Sequence, residues 1–133
     1  MQNGVWHLKL IFIFLLFSFP IFVNANEYLC AIKKVSSLAN SGYMENEYEE
    51  PYVGKTFRVN KSTGVMTGII QNTLGGTPQV VQETNKDWSY KAVTHSVTNH
   101  VDVYYLYVKD LNNAQHKPFM FIQSGYIFHG LCE

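Results

Sequence analysis

Residues 101–108 read Val-Asp-Val-Tyr-Tyr-Leu-Tyr-Val and form the strongest strand signal in the chain. β-branched and aromatic side chains, which fit extended backbone, fill most of these positions. Successive side chains of a strand point to opposite faces, so Tyr105 and Tyr107 share one face while Leu106 and Val108 share the other. Because both faces are largely apolar, we expect one to face a core and the other to be covered or to expose aromatic rings.

Two hairpins extend this pattern along the chain. Residues 118–123 and 126–131 are apolar segments separated by a Ser-Gly turn, and residues 55–60 and 65–71 flank a Lys-Ser-Thr-Gly turn. Further extended segments are predicted at residues 27–35, 79–83 and 88–97, and no helix is predicted, with a single turn of helix at residues 35–40 as the alternative.

Short strands joined by turns, without a long helical pattern, predict an all-β domain. We expect a small antiparallel meander that is closed or nearly closed into a barrel, because closure removes the exposed edges of a sheet. A sandwich of two β-sheets is the alternative.

The first 25 residues have the pattern of a secretory signal peptide. Residues 10–23 are an uncharged, largely apolar run that follows the single cation Lys9, and Val23-Asn24-Ala25 places small residues where a leader is cleaved. The run is shorter than the about 20 apolar residues of a bilayer-spanning helix. We therefore expect a signal peptide at 1–25 and one β-rich domain at 26–133, with an uncleaved N-terminal anchor as the alternative.

The two cysteines lie near the two ends of the predicted domain. An exported chain meets an oxidising compartment, and the only possible pair is Cys30 with Cys132. This bond would join the first and last strands and close a loop of about 100 residues, worth about 4–5 kcal/mol in the chain-entropy model. A structural disulfide is favoured over a redox-active pair, because there is no CxxC motif.

Charge argues against nucleic acid as a partner. The chain has ten Lys and Arg against ten Asp and Glu, and loss of residues 1–25 removes Lys9, which leaves nine cations against ten acids. The cations are scattered, and the only adjacent pair is Lys33-Lys34. A binder that tracks phosphates needs a dense basic patch.

Catalytic and metal-binding motifs are not evident. The sequence has no HExxH, GxSxG or calcium-loop pattern, and no histidine lies in a recognisable metal-ligand set. We therefore assign no catalytic residue, metal ligand or cofactor. If the protein were a small hydrolase acting on envelope material, His95, His100 and Asp102 would be the candidate residues.

Residues 43–52 form the most unusual segment of the predicted domain, since three tyrosines and four glutamates occur within these ten residues. Tyrosines supply rigid amphipathic contact area, and adjacent glutamates would favour a basic partner. The alternative is a solvated connection whose tyrosines fold back onto the sheet. The candidate partner-binding residues are Tyr43, Glu45, Glu47, Tyr48, Glu49, Glu50 and Tyr52.

Aromatic residues in the second half of the chain allow another interpretation. Core packing is the expected role, but some of these rings could line a cavity for an apolar ligand. The candidate cavity residues are Trp88, Tyr90, Tyr105, Tyr107 and Phe121.

These observations favour an exported binding protein, periplasmic or extracellular, that is not an enzyme. We expect it to recognise a protein partner, as an inhibitor or an accessory domain does. A carrier of small apolar ligands and an envelope-acting hydrolase are the alternatives, and the sequence does not determine the oligomeric state.

Overall fold

The computed structural model describes residues 26–46, 49–84, 87–97, 101–112 and 114–133, with the side chains of residues 49, 50 and 97 left undescribed. Within these ranges the chain forms nine strands and one helical turn. They are β1 (Glu27–Leu38), β2 (Met44–Asn46), α1 (Glu49–Tyr52), β3 (Thr56–Asn60), β4 (Met66–Gly68), β5 (Pro78–Gln82), β6 (Ser89–Val97), β7 (Val101–Lys109), β8 (Lys117–Gln123) and β9 (Tyr126–Cys132). No helix in the described part is long and apolar enough to cross a membrane.

All strands belong to one antiparallel sheet in the order β4-β3-β1-β9-β8-β7-β6-β5, and β2 pairs with β1 off this path. The sheet curls into a half-barrel with β4 and β5 at its two edges. The prediction of an all-β antiparallel meander, nearly closed, is confirmed, and the sheet is not split into a two-sheet sandwich. Most strands lie beside their neighbours in sequence, but β1 pairs with β3 as well as β2, and its pairing with β9 brings the first and last strands together.

The predicted disulfide is confirmed at that pair. Cys30 and Cys132 are direct cross-strand partners, both fully buried, and are bonded across a sequence separation of 102 residues. The bond therefore covalently joins the two strands at the middle of the sheet.

The core lies on the concave side of the sheet. Residues at alternate positions fill it, among them Tyr28, Ile32, Leu106 and Phe121, each at most 1% exposed. Rings from separate strands meet edge to face, such as Phe57 with Phe119 at 5.1 Å between centroids. The sequence prediction that one face of residues 101–108 lies inward is thus met by Leu106 and Val108.

Strand β1 contains a β-bulge that interrupts its regular alternation. The register against β9 shifts between Ile32 and Lys34, so an extra residue lets both Ile32 and Val35 point into the core. The strands are so close here that a Cβ added at Gly130 would lie 2.0 Å from the carbonyl oxygen of Ala31. The alternative of a helical turn at residues 35–40 is excluded: β1 continues to Leu38, because its pairing with β2 and β9 satisfies the backbone there.

The two edge strands are protected in different ways. At β4, the buried side chain of Asn72 donates to the carbonyl of Gly64 and accepts from the amide of Met66, both at 2.8 Å. The strand predicted at residues 65–71 is therefore shorter than expected, since its end becomes a loop held by this amide. At β5, Pro78 and a bulge before Gln82 interrupt the ladder, which are common ways to prevent edge pairing.

Candidate functional site

The β1–β2 hairpin presents apolar side chains to solvent. Its turn is fixed by two backbone hydrogen bonds, Ala39 N to Tyr43 O and Gly42 N to Ala39 O, each 2.9 Å long. Leu38 and Met44 are register partners, so their side chains lie side by side on the same face. Leu38 is 66% exposed and Tyr43 76% exposed. Leu38, Tyr43 and Met44 are called the hairpin patch below.

The helical turn α1 places Tyr52 over the end of the core. The chain leaves α1 through Gly54, whose amide donates to the carbonyl of Ile32 in β1 at 2.9 Å, while the amide of Ile32 donates to Lys55. These bonds fix the Tyr52 backbone beside β1. The Tyr52 ring then packs edge to face on Phe128, with 5.2 Å between centroids and 79° between planes.

Two small cavities flank the Tyr52 ring. One, of about 180 Å³, is lined by Val35, Tyr52, Tyr126 and Phe128. The other, of about 210 Å³, is lined by Tyr52, Ile69, Ile70, Gln71, Leu74, Gln123 and Phe128. Both are lined by Tyr52 and Phe128, and the second also by the side chains of Gln71 and Gln123, so they are two separate depressions beside one pair of aromatic rings; together they are called the cleft. This cleft and the hairpin patch are called the open end.

The candidate partner-binding residues divide into three groups. Tyr43 and Glu45 are exposed, and Tyr52 is half-buried in the cleft. Glu47 and Tyr48 lie outside the described residues, and only the backbone of Glu49 and Glu50 is described, in α1. Residues 43–52 thus contribute both an exposed tyrosine and a tyrosine that folds back on the sheet.

The candidate cavity residues do not share one face of the sheet. Tyr90 and Phe121 are buried in the core. Tyr105 and Tyr107 alternate with the buried Leu106 and Val108 and so lie on the outer face. Trp88, which is 47% exposed, precedes β6 with a positive φ of 57°.

The candidate hydrolase residues are not brought together in the described part of the chain. His95 pairs with Val103, and Asp102 pairs with Ser96, so His95 and Asp102 belong to opposite faces of the β6–β7 hairpin. The hydroxyl of Ser124 donates to Asp102. His100 lies outside the described residues.

A polar cluster occupies the opposite end of the half-barrel. The Tyr28 hydroxyl donates to Asp110 at 2.5 Å, and the Lys117 ammonium lies 3.7 Å from the other oxygen of that carboxylate. The Lys61 ammonium lies 4.3 Å from the centre of the Tyr28 ring. Tyr28, Lys61, Asp110 and Lys117 are called the polar end.

Electrostatics at the polar end follow from burial. Burial, then the hydrogen bond to Asp110, raise the pKa of Tyr28 well above its usual value. Burial lowers the pKa of Lys61, opposed by the charge of Asp110. The neighbouring Tyr90, whose ring packs on Tyr28 at 5.4 Å, has its pKa raised to about 12 by burial. The hydroxyl of Tyr28 thus remains protonated at neutral pH and acts as a structural donor to Asp110.

Sequence reasoning missed several residues of the open end. Sequence alone gives Gln123 and Leu38 no functional role, and it indicates Met44 only as a member of residues 43–52 and Phe128 only as one of many aromatic residues. An exposed leucine or methionine is recognisable only after strand register places it beside another. No group of three His, Cys, Asp or Glu side chains near enough to hold a metal ion occurs among the described residues.

Comparisons with known proteins give no significant match to this chain. No protein-family model fits it, and no curated protein and no solved structure is significantly similar to it.

Proposed function

We propose that this chain is an exported binding protein, not an enzyme, that recognises a protein partner through its open end. Export is supported by the leader pattern of residues 1–25 and agrees with the buried disulfide. The observation that carries the proposal is that the exposed hairpin patch of the β1–β2 hairpin begins at Leu38, three residues after the cleft residue Val35 of β1.

The open end has the composition of a contact surface. Leu38, Tyr43 and Met44 expose apolar area on a hairpin that is short and fixed by hydrogen bonds. Such area costs little to immobilise on binding, because the backbone is already ordered. Tyrosine in particular combines a large apolar ring with a hydroxyl group and is frequent where binding energy is concentrated.

Cavity size favours a protein side chain over a free small molecule. Pockets for drug-sized ligands are typically about 300–1,000 Å³, and each cavity beside Tyr52 is smaller, at about 180 and 210 Å³. A single apolar side chain of a partner would fit each cavity. The apolar-ligand carrier is the second candidate, and a bound mass seen by native mass spectrometry of the purified protein would favour it.

Charge indicates the character of the partner. Glu45 is exposed on β2, and the sequence adds Glu47, Glu49 and Glu50 within five residues of it. A partner that presents Lys or Arg beside an apolar anchor would complement this segment.

Site-specific photo-cross-linking tests the proposal. A photoreactive amino acid at position 43 is expected to cross-link one discrete partner in an extracytoplasmic extract, and the same amino acid at the exposed position Gln79 is not. Leu38→Ser should then abolish the cross-link from position 43. Equal labelling from both positions, or a cross-link that survives Leu38→Ser, would contradict the proposal.

Charge neutralisation tests the basic character of that partner. The double variant Glu45→Gln/Glu47→Gln should reduce the cross-link several-fold and make it less sensitive to salt. Glu83→Gln, at an exposed acid outside the segment, is the matched control and should leave it unchanged.

A further inference from the structure

The outer face of strands β6–β9 carries an unusual amount of apolar surface. Strand register sets its side chains in cross-strand rows. In the first row, Tyr105 pairs with Val93 on one side and with Ile122 on the other, and Ile122 pairs with Ile127. All four side chains of this row are partly exposed, so an apolar strip crosses four strands on the side away from the core.

A second row runs parallel to the first and ends in cations. Tyr107 pairs with Lys91 and with Met120, Met120 pairs with His129, and His129 pairs with Lys34 of β1. Its centre is an aromatic ring and a thioether. Its two ends are lysines, whose apolar stems can lie along the strip while the ammonium groups reach outward.

Exposed aliphatic residues extend the strip in both directions. Val101 and Val103 are 77% and 52% exposed beyond Tyr105 on β7, and Leu131 is 37% exposed beyond His129 on β9. Large contiguous apolar patches are rare on soluble monomers and commonly mark binding sites. The residues of the two rows, together with His95, Val101, Val103, Lys109 and Leu131, are called the outer strip below.

Charge on the outer strip is of one sign. The outward positions on β6–β9 from Lys91 onward include no Asp or Glu, and their lysines are Lys91 and Lys109. Burial and the nearby Lys34 lower the pKa of His129, so this side chain adds no charge at neutral pH. Lys34 adds a cation at the β1 side. Two acids lie at the margins of the outer strip: Asp87, 2.7 Å from the Lys91 ammonium, offsets that one lysine, and Glu133 lines a cavity together with Leu131.

We propose that the outer strip binds the surface of an anionic membrane. Tyrosine rings and aliphatic side chains suit the boundary between headgroups and acyl chains, and lysines around them attract anionic lipid. The convex face would contact the bilayer with Val103 and the two tyrosine rings nearest to the lipid. This inference does not depend on the proposed partner site, because the open end and the outer strip share no residue.

A second copy of the chain is a poorer occupant. Face-to-face association by a twofold axis would set the cationic row of one copy against the cationic row of the other. The described outward positions of β6–β9 hold no acid, so only Asp87 and Glu133 at the margins oppose that repulsion. An anionic lipid surface supplies the opposite charge, so charge complementarity favours it.

Co-sedimentation with vesicles tests this inference. We expect the purified protein to bind phosphatidylcholine vesicles that contain phosphatidylglycerol, to bind pure phosphatidylcholine vesicles much less, and to be released by salt. If residues 10–23 are retained, their apolar run adds binding to both vesicle types, so the difference between the two types is the quantity to compare.

Two variants and two controls assign the binding to the outer strip. Lys34→Glu is expected to weaken binding to the anionic vesicles about tenfold, whereas Lys55→Glu makes the same charge change at an exposed position off the strip and should have much less effect. Val103→Ser should weaken it several-fold, and Tyr43→Ser at the open end should not. Circular dichroism confirms that each variant is folded.

Three outcomes would overturn the inference. Equal binding to both vesicle types would show that the lysines do not select anionic lipid. Equal losses in Lys34→Glu and Lys55→Glu would show that net charge alone is responsible. A vesicle-free dimer that Val103→Ser dissociates in sedimentation velocity would assign the strip to a second copy of the chain.

Discussion

Tyr28 and Val35 lie seven residues apart in β1, about 23 Å along the strand, and their surroundings differ in every respect. Around Tyr28 the chain places a carboxylate, two ammonium groups and a second tyrosine, all linked by short contacts. Around Val35 it places aromatic rings, two small cavities and an exposed hairpin. The polar end stabilises the half-barrel, whereas the open end leaves apolar side chains exposed to solvent.

The comparison teaches how a small sheet can combine stability with an exposed site. The disulfide and the Tyr28–Asp110 hydrogen bond both involve the first residues of β1. They hold β1 to β9 and to Asp110, the residue that follows β7. Apolar groups at the open end need not contribute to folding and can be reserved for binding. Local stability in proteins is commonly unequal in this way.

The largest expected effect comes from breaking the disulfide. Cys30→Ala/Cys132→Ala should lower the free energy of unfolding by about 2–5 kcal/mol, because the unfolded chain regains the freedom of a loop spanning a separation of 102 residues. Urea denaturation of wild type and variant measures this loss. Reduction of the wild type should reproduce this loss of stability. A loss below about 1 kcal/mol would show that the disulfide contributes little to the stability of the folded sheet.

Alkaline pH should act on the same end of the molecule. The pKa of Tyr90 is raised to about 12 and that of Tyr28 is raised further, so above pH 10 the folded state retains protons that the unfolded state releases. This contribution to stability is fully present below pH 10 and is lost as the pH rises through the folded-state values. Urea denaturation at a series of pH values should show unfolding becoming easier between pH 10 and pH 12.

Substitution of either tyrosine separates this effect from general destabilisation. Tyr90→Phe should reduce the slope of stability against pH in that window. Phe119→Leu, a buried change without a titrating group, should lower stability at every pH and leave the slope unchanged. An unchanged slope in both Tyr28→Phe and Tyr90→Phe would contradict the assignment.

The smallest expected effect on stability lies at the open end. Leu38→Ser and Tyr43→Ser should change the free energy of unfolding by no more than about 0.5 kcal/mol, because both side chains are largely exposed. Thermal denaturation with each variant measures this. A loss of 2 kcal/mol or more would show that the hairpin patch supports the fold, and the contrast between the two ends would disappear.

Local sequence signals were sufficient for much of the fold. The alternation at residues 101–108 predicted a strand with one face inward, and the Ser-Gly turn predicted the β8–β9 hairpin. Residues 35–38 show no clear alternation of apolar and polar side chains, yet they extend β1, because β2 and β9 pair with them. Asn72 carried no signal, since its role depends on two backbone groups that only the β4 loop brings near it.

The candidate site was predicted in part. Residues 43–52 were identified from composition, and Tyr52 does reach the cleft, but Phe128 joins it from the far end of the chain. The cavity prediction grouped aromatic residues by nearness in sequence. Strand alternation then placed Tyr90 inward and Tyr105 outward, which composition alone cannot distinguish.

The sequence by itself determined the strand-rich character of the domain and the pairing of Cys30 with Cys132. These follow from side-chain shape at each position and from there being two cysteines in the chain. Only the tertiary structure decided which residues meet across long separations, such as Tyr28 and Asp110, 82 residues apart. Such contacts depend on strand order and register, and these are set by the packing of the whole sheet, with no trace in any local stretch of sequence.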